Sequence, residues 1–287
     1  MSYRRRASPL HAARAASGCA YCLALVIAAL VLSAPLALAA LAVAILIAGA
    51  GARVLGELAR AARLAIPVAL AVAAINALVT RDGLTVIARL GDLPILGHTD
   101  ITLEATVYGG VLGLRAAILI LCGALYTVAV DPDEVLRLFR RVSFRSALTA
   151  ALATRMVPVL VRDGRRFAEA QRCRPGRPPG RVALLRASTS GALDRALDVA
   201  AALEVRGYGA ARRPAGGRVP WSRHDVGFLL AAALIAAVAV AARVGGWAPF
   251  QAYPSLRAPL GPQELIAALA LVLAASLPFL QRRGVGR

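Results

Sequence analysis

The chain contains no lysine, so all 34 of its Lys and Arg positions are arginine. A Gly-rich phosphate loop ends in Lys followed by Ser or Thr; none can exist here, and any nucleotide energy must come from a partner. Cysteine is scarce as well. Cys19 and Cys22 have redox or metal spacing, but Cys122 and Cys173 lie far along the chain and no second pair completes a site. The cysteines of the apolar runs therefore read as small packing residues, and Cys173 as an exposed thiol. His11, His98 and His224 are too dispersed in the expected topology to hold a metal. No nucleophile, base and orienting group cluster along the sequence. We expect no catalytic residue, no metal site and no cofactor. The interiors of the apolar runs lack Asp and Glu, which argues against a self-sufficient secondary carrier built on intramembrane acids.

What is present is apolar length and positive charge. Hydrophobic residues make up 59% of the chain, mean hydropathy is +0.67, and several apolar runs approach the length of a bilayer crossing, as expected of an integral membrane protein. A net charge of +19 in a soluble domain would suggest nucleic acid. Here the arginines cluster between and beside the apolar runs, the distribution that orients a protein against the cytoplasmic leaflet, and nucleic-acid binding is set aside. The first apolar run extends well past Cys19 and is followed by others, so it reads as an anchor rather than a cleaved signal.

Charge also counts the crossings. The run 19–50 is long for one helix and short for two, but Arg4, Arg5, Arg6 and Arg14 precede it and Arg53, Arg60 and Arg63 follow it. Both flanks favour the cytoplasm, which requires an even number of crossings, so a tight helical hairpin bent near Ser33-Ala34-Pro35 is expected. Ile66 to Thr80 then leads outward. The segment 81–104 carries Asp82, Asp92, Asp100 and Glu104 against Arg81 and Arg89 and reads as an external loop broken by Gly91, Pro94 and Gly97. Thr106 to Val130 returns, and Val226–Val244 and Gln263–Leu280 form a last pair. The expected fold is an all-α polytopic membrane protein with about six transmembrane helices and both termini cytoplasmic.

Within the fourth span, Gly109 and Gly113 form a small-xxx-small face for close helix packing. Arg115 in the same span must face protein or snorkel outward, and Asn76 near the end of the third span suits an interhelical hydrogen bond.

Residues 131–223 differ. They hold over half of the arginines and no run long enough to cross. Asp131, Pro132 and Glu134 spell a helix start with a capping box. From Arg145 to Cys173, Leu148, Leu152, Met156, Val159, Leu160 and Phe167 recur at helical spacing, giving a long amphipathic helix bent at Pro158. A breaker-rich link, 175–180, ends it. A second amphipathic helix is expected from about Ser190 to Arg206, with Leu193, Ala196, Leu197, Ala200 and Leu203 on one face. Each helix finishes in an arginine followed by a breaker: Arg174 before Pro175, and Arg206 before Gly207. A guanidinium is always charged and makes paired hydrogen bonds, so such a tip suits docking into an acidic groove. The domain boundaries expected are 1–130 (four spans), 131–223 (two to three coupling helices) and 224–287 (two spans).

Leu114-Arg115, Thr127 to Pro132, the Arg-x-x-Pro of Arg155-Met156-Val157-Pro158, Ala170 to Arg174 and Ala200 to Tyr208 together resemble the transmembrane T component of energy-coupling factor (ECF) transporters, bacterial importers of vitamins and metals. The family's two Ala-Arg-Gly-like triplets fall on Cys173-Arg174-Pro175 and Val205-Arg206-Gly207, with Cys173 and Pro175 departing from the usual residues. The resemblance implies a bacterial inner-membrane subunit that uses each arginine to contact one of two cytoplasmic ATP-binding cassette ATPases and works on a small membrane substrate-binding subunit. Its substrate stays open among cobalt, nickel, biotin, thiamine, riboflavin and cobalamin precursors. The competing readings are a secondary carrier and a membrane-anchored adaptor with a basic lipid-binding region.

Overall fold

The computed structural model describes residues 6–80, 85–93, 97–139, 144–173, 180–207, 221–247 and 261–281. They divide into two compact units, one of residues 1–135 with 221–287 and one of residues 136–220.

The first unit is a helical membrane body. A short α1 (Pro9–Ala12) leads into α2 (Ala15–Val31) and α3 (Pro35–Gly51), then α4 (Leu55–Val79), a hairpin of β1 (Val86–Leu93) and β2 (Gly97–Thr102), α5 (Leu103–Ala129) and the start of α6 (Pro132–Phe139). After the second unit come α9 (Arg223–Val244) and α10 (Pro262–Leu280). α4, α5, α9 and α10 are long and apolar enough to cross a membrane, while α2 and α3 are shorter apolar helices. The protein is a multi-pass membrane protein.

The expected break near Pro35 is present: α2 ends at Val31 and α3 begins with Pro35 at its first turn. The two legs return to one level, because Arg6, ahead of α2, bonds the Arg53 carbonyl and the Glu57 carboxylate beyond α3. They do not pack along each other as a tight pair. α2 lies against α9 and α5, and α3 against α10 and α5. α3 ends in a Schellman turn, with Arg53 N–H donating to Ala50 and Val54 N–H to Gly49. The left-handed position of that turn, normally glycine's, is taken by Arg53 at φ 57°.

The third span starts at Leu55, eleven residues before the apolar run at Ile66 announces it, because the helix continues through Glu57, Arg60 and Arg63. The segment read as an external loop is instead an antiparallel β-hairpin, with Gly91 inside β1 and Gly97 opening β2. Pro94 lies outside the described residues.

The body's core is built largely from alanine. Ala28, Ala29, Ala37, Ala44, Ala48, Ala239 and Ala275 are fully or almost fully buried among Leu25, Leu38, Leu41, Ile45, Ile118, Leu125 and Leu271. In lipid, helices gain little by hiding apolar surface from one another, and short side chains that let backbones approach supply the packing instead. One aromatic cluster anchors four helices: Tyr21, Phe228 and Phe279 meet edge to face at 5.3 to 6.2 Å. The Tyr21 hydroxyl donates to the Ala275 carbonyl at 3.0 Å, and the Phe279 ring fills the space that Gly51 leaves open.

The second unit contains the end of α6, then α7 (Phe144–Arg172) and α8 (Arg181–Val205). α7 runs through Pro158 as one helix. α8 begins at Arg181, nine residues ahead of the expected start at Ser190. Ser188, Ser190 and Gly191 look like start signals, but Gly191 sits mid-helix opposite the Phe167 ring, which a Cβ there would meet at 3.9 Å.

Candidate coupling surface

α7 and α8 touch in antiparallel sense, with Asp163 paired to Arg195 at 2.7 Å and Phe167 beside Gly191. From this contact the two helices run in opposite directions, α7 toward Arg172 and α8 toward Val205. About seven residues remain on the α7 arm and about twelve on the α8 arm, so at ~1.5 Å per residue the C-terminal ends lie on the order of 30 Å apart. Two helix ends are thereby presented at two places.

The α8 end is defined in detail. Arg206 N–H donates to Ala202 and Gly207 N–H to Glu204, and Gly207 takes φ 75°. Only a residue free of Cβ crowding adopts this cheaply, so Gly207 closes the helix and turns the chain away directly behind Arg206. Val205 is 89% exposed, and Arg206 and Gly207 are exposed too. At the α7 end, Cys173 is an exposed thiol whose N–H closes on Glu169. Arg174 and Pro175 lie outside the described residues.

The inner face of the pair differs from the sequence reading on α8. On α7, Leu152, Met156, Val159 and Phe167 are half-buried, as the spacing predicts, whereas Leu160 of the same expected face is exposed and the Leu148 side chain lies outside the described residues. On α8 the half-buried positions are Ser188, Gly191, Ala192, Arg195, Val199 and Leu203. Of the expected face only Leu203 belongs to it; Leu193 and Leu197 point away, at 65% and 64% exposure. A stripe of mostly small residues, carrying one ion pair at Arg195 and a single leucine, meets α7.

The intramembrane residues have definite surroundings. A Cβ on Gly113 would stand 2.5 Å from the Ala69 carbonyl oxygen, and one on Gly109 2.6 Å from that of Ala73. α4 and α5 therefore touch backbone to backbone at both glycines. Asn76 Nδ2 donates to Val72 on its own helix at 3.0 Å. That bond is intrahelical, where an interhelical one was expected, because the carbonyl one turn back lies within reach of a short amide. Arg115 faces protein: its guanidinium donates to the Leu32 carbonyl at 2.8 Å, at the C-terminal break of α2. A cation there satisfies a carbonyl that the broken helix leaves open and complements the helix dipole. Pro158, exposed on α7, leaves its carbonyl to Arg162 Nε.

Sequence reasoning missed a group of capping acids. Glu134, expected to cap its own helix, accepts from Ala15 N–H at the start of α2. The complete capping box lies instead at Ser222 and Asp225, opening α9. Asp225 was readable as Ser-x-x-Asp ahead of an apolar run. Glu134's distant partner had no signal in the sequence.

Among the described residues no group of His, Cys, Asp and Glu could hold a metal ion. Compared with known proteins, the chain matches the profile of the CbiQ cobalt transport protein family over residues 6–215, well over half its length. The chain belongs to this family. The match spans α1 to α8, including the Arg-x-x-Pro, Cys173-Arg174-Pro175 and Val205-Arg206-Gly207, and stops short of α9 and α10. It makes the protein a membrane component of cobalt-type transport. No curated protein matches the chain.

Proposed function

We propose that the chain is the energy-coupling transmembrane subunit of an ECF-type ABC importer. Residues 1–130 and 224–287 form its membrane part and residues 131–223 its coupling part. The reading rests on one observation above all: in a member of the cobalt transport family, an exposed arginine sits at the very end of a helix, backed by a glycine at positive φ. Arg206 at the end of α8 and Arg174 after α7 each dock into an acidic groove of one ATP-binding cassette ATPase. When the two ATPases close on ATP, the helices bearing these tips move. A small membrane subunit holds the substrate, and the partner's chemistry selects it; the family makes cobalt the first candidate, ahead of nickel and the vitamins. The protein lies in the bacterial inner membrane with both termini in the cytoplasm.

Each guanidinium desolvated against a carboxylate is worth about 2–5 kcal/mol when its loss strands the partner charge. Arg174→Ala with Arg206→Ala leaves the chain in the membrane at normal level but lowers ATPase co-purification in mild detergent at least tenfold. Normal recruitment and normal uptake by that variant would remove the assignment.

A further inference from the structure

The chain leaves the membrane unit at Val135 and re-enters it at Trp221. Both points are fastened to the same helix start. α2 has no side-chain cap of its own, and its first amides are satisfied from far along the sequence. Ala15 N–H donates to Glu134 Oε2 at 3.0 Å, one residue before the exit. Arg14 N–H donates to Asp225 Oδ1 at 2.6 Å, four residues after the re-entry. Asp225 is almost completely buried and held from three further sides. Ser222 N–H donates to its Oδ2 at 2.8 Å, the Ser17 hydroxyl to its Oδ1 at 3.1 Å, and the Arg14 guanidinium pairs with it at 3.4 Å. The same guanidinium stacks over the Trp221 ring, 5.7 Å from its centroid.

Amides held by carboxylates make short, strong bonds, so a shift of either chain crossing pulls on the first turn of α2. From there the load spreads: α2 packs on α9 and α5, and its Tyr21 is bonded to α10. Beside the Glu134 contact lies a cavity of about 110 Å³ lined by His11, Arg14, Gly18, Val130, Asp131 and Glu134. Packed interiors resist displacement, whereas a void leaves the carboxylate side of the junction room to re-pack.

We propose that the N-terminus of α2 is the relay through which movement of the coupling helices enters the membrane helices, with Glu134, Arg14, Trp221 and Asp225 as positioning residues for transport. The inference rests on the energy-coupling role proposed above. The full complex, with its ATPases and substrate-binding subunit, is reconstituted in liposomes, and cobalt(II) accumulation and ATP hydrolysis are measured together. Glu134→Ala keeps ATPase recruitment and hydrolysis within twofold of the parent, yet cobalt moved per ATP falls at least fivefold. Glu134→Gln, which retains an acceptor oxygen, restores the ratio to within twofold. Trp221→Ala, at an exposed side chain that folding does not need, lowers the same ratio at least threefold and serves if Glu134→Ala does not accumulate. An unchanged ratio in Glu134→Ala, or a loss that Glu134→Gln shares, overturns the relay; where Glu134→Ala does not accumulate, an unchanged ratio in Trp221→Ala does so. Failure of the unsubstituted chain to bind ATPases at all overturns the energy-coupling role instead.

Discussion

α5 in the membrane body and α8 in the second unit both carry apolar side chains at helical spacing, yet they treat them in opposite ways. Ile118 and Leu125 of α5 are fully buried, whereas Val182, Leu185, Leu193 and Leu197 of α8 are each about two-thirds exposed. The body closes on itself through alanine and glycine contacts that bring backbones together. Among the described residues, α7 and α8 meet around one ion-paired contact and leave most of their apolar surface open. A region with few buried apolar contacts opens locally at little cost. The difference separates a part that specifies its own structure from a part whose described contacts are too few to do so.

Four sets of substitutions test this contrast, the strongest first. Gly113→Leu combined with Gly109→Leu drives side chains into the Ala69 and Ala73 carbonyls, which helix rotation alone cannot relieve, and we expect more than a tenfold loss of membrane-inserted chain by quantitative blotting. Gly191→Leu in α8, opposed only by the Phe167 ring at ordinary contact distance, leaves the level unchanged. Equal losses at both places would break the contrast.

The two helix ends give a smaller and reciprocal pair. α3 and α8 both close on a left-handed residue, Arg53 in one and Gly207 in the other. Arg53→Gly relieves backbone crowding and stabilises the body by about 1 kcal/mol, while Gly207→Ala costs about 1 kcal/mol at the end of α8. Thermal unfolding in detergent reads the first. Hydrogen exchange at residues 202–206 reads the second, because the loss is local.

Asp163→Ala removes the ion pair at the α7–α8 contact, whose side chains are 21% and 36% exposed. Solvent screening limits such a pair to ~0.2–1 kcal/mol. The expected signature is faster exchange near 163–167 and 191–195 with no change in the membrane body.

The mildest effect is acid sensitivity at His11. Burial holds its imidazole below the ordinary 6.5; a hydrogen bond to the Val128 backbone works against that, and nearby Arg6 adds to it. Above pH 6.5 the ring is neutral in both folded and unfolded chains and stability is full. As the pH falls from 6.5 toward the lower folded value, the unfolded chain takes the proton first and stability declines. His11→Asn should flatten that decline in melting temperature between pH 7.5 and pH 5.5. An unchanged slope would show that His11 is not its source.

Spans such as Leu103–Ala129, Arg223–Val244 and Pro262–Leu280 were legible to within a few residues, because a bilayer demands apolar length and apolar length is visible in sequence. The start of α4 was not, since a helix does not stop where hydropathy does: Arg60 and Arg63 ride its polar end. The break between α2 and α3 at Pro35 was legible too, although the two legs scarcely touch where a tight pair was expected. The α8 face was misjudged because leucines at helical spacing mark an apolar stripe without saying what covers it. Glu134 shows a further limit. A carboxylate three residues after a cap fits a local box, and only the fold reveals that an amide from residue 15 waits nearer.

The Arg115 contact bears on how this protein would be mapped. The bend between α2 and α3 is enclosed by protein, with Leu32 and Ala34 at 2% and 1% exposure, and Arg115 grips it about 18 Å along α5 from the β-hairpin end at ~1.5 Å per residue. Enclosed irregular backbone is tolerated at such depth. A membrane-impermeant maleimide would therefore label a cysteine placed at exposed Thr85 but pass over one at buried Ala34. Accessibility scanning would then count four traverses where the apolar helices among the described residues number six.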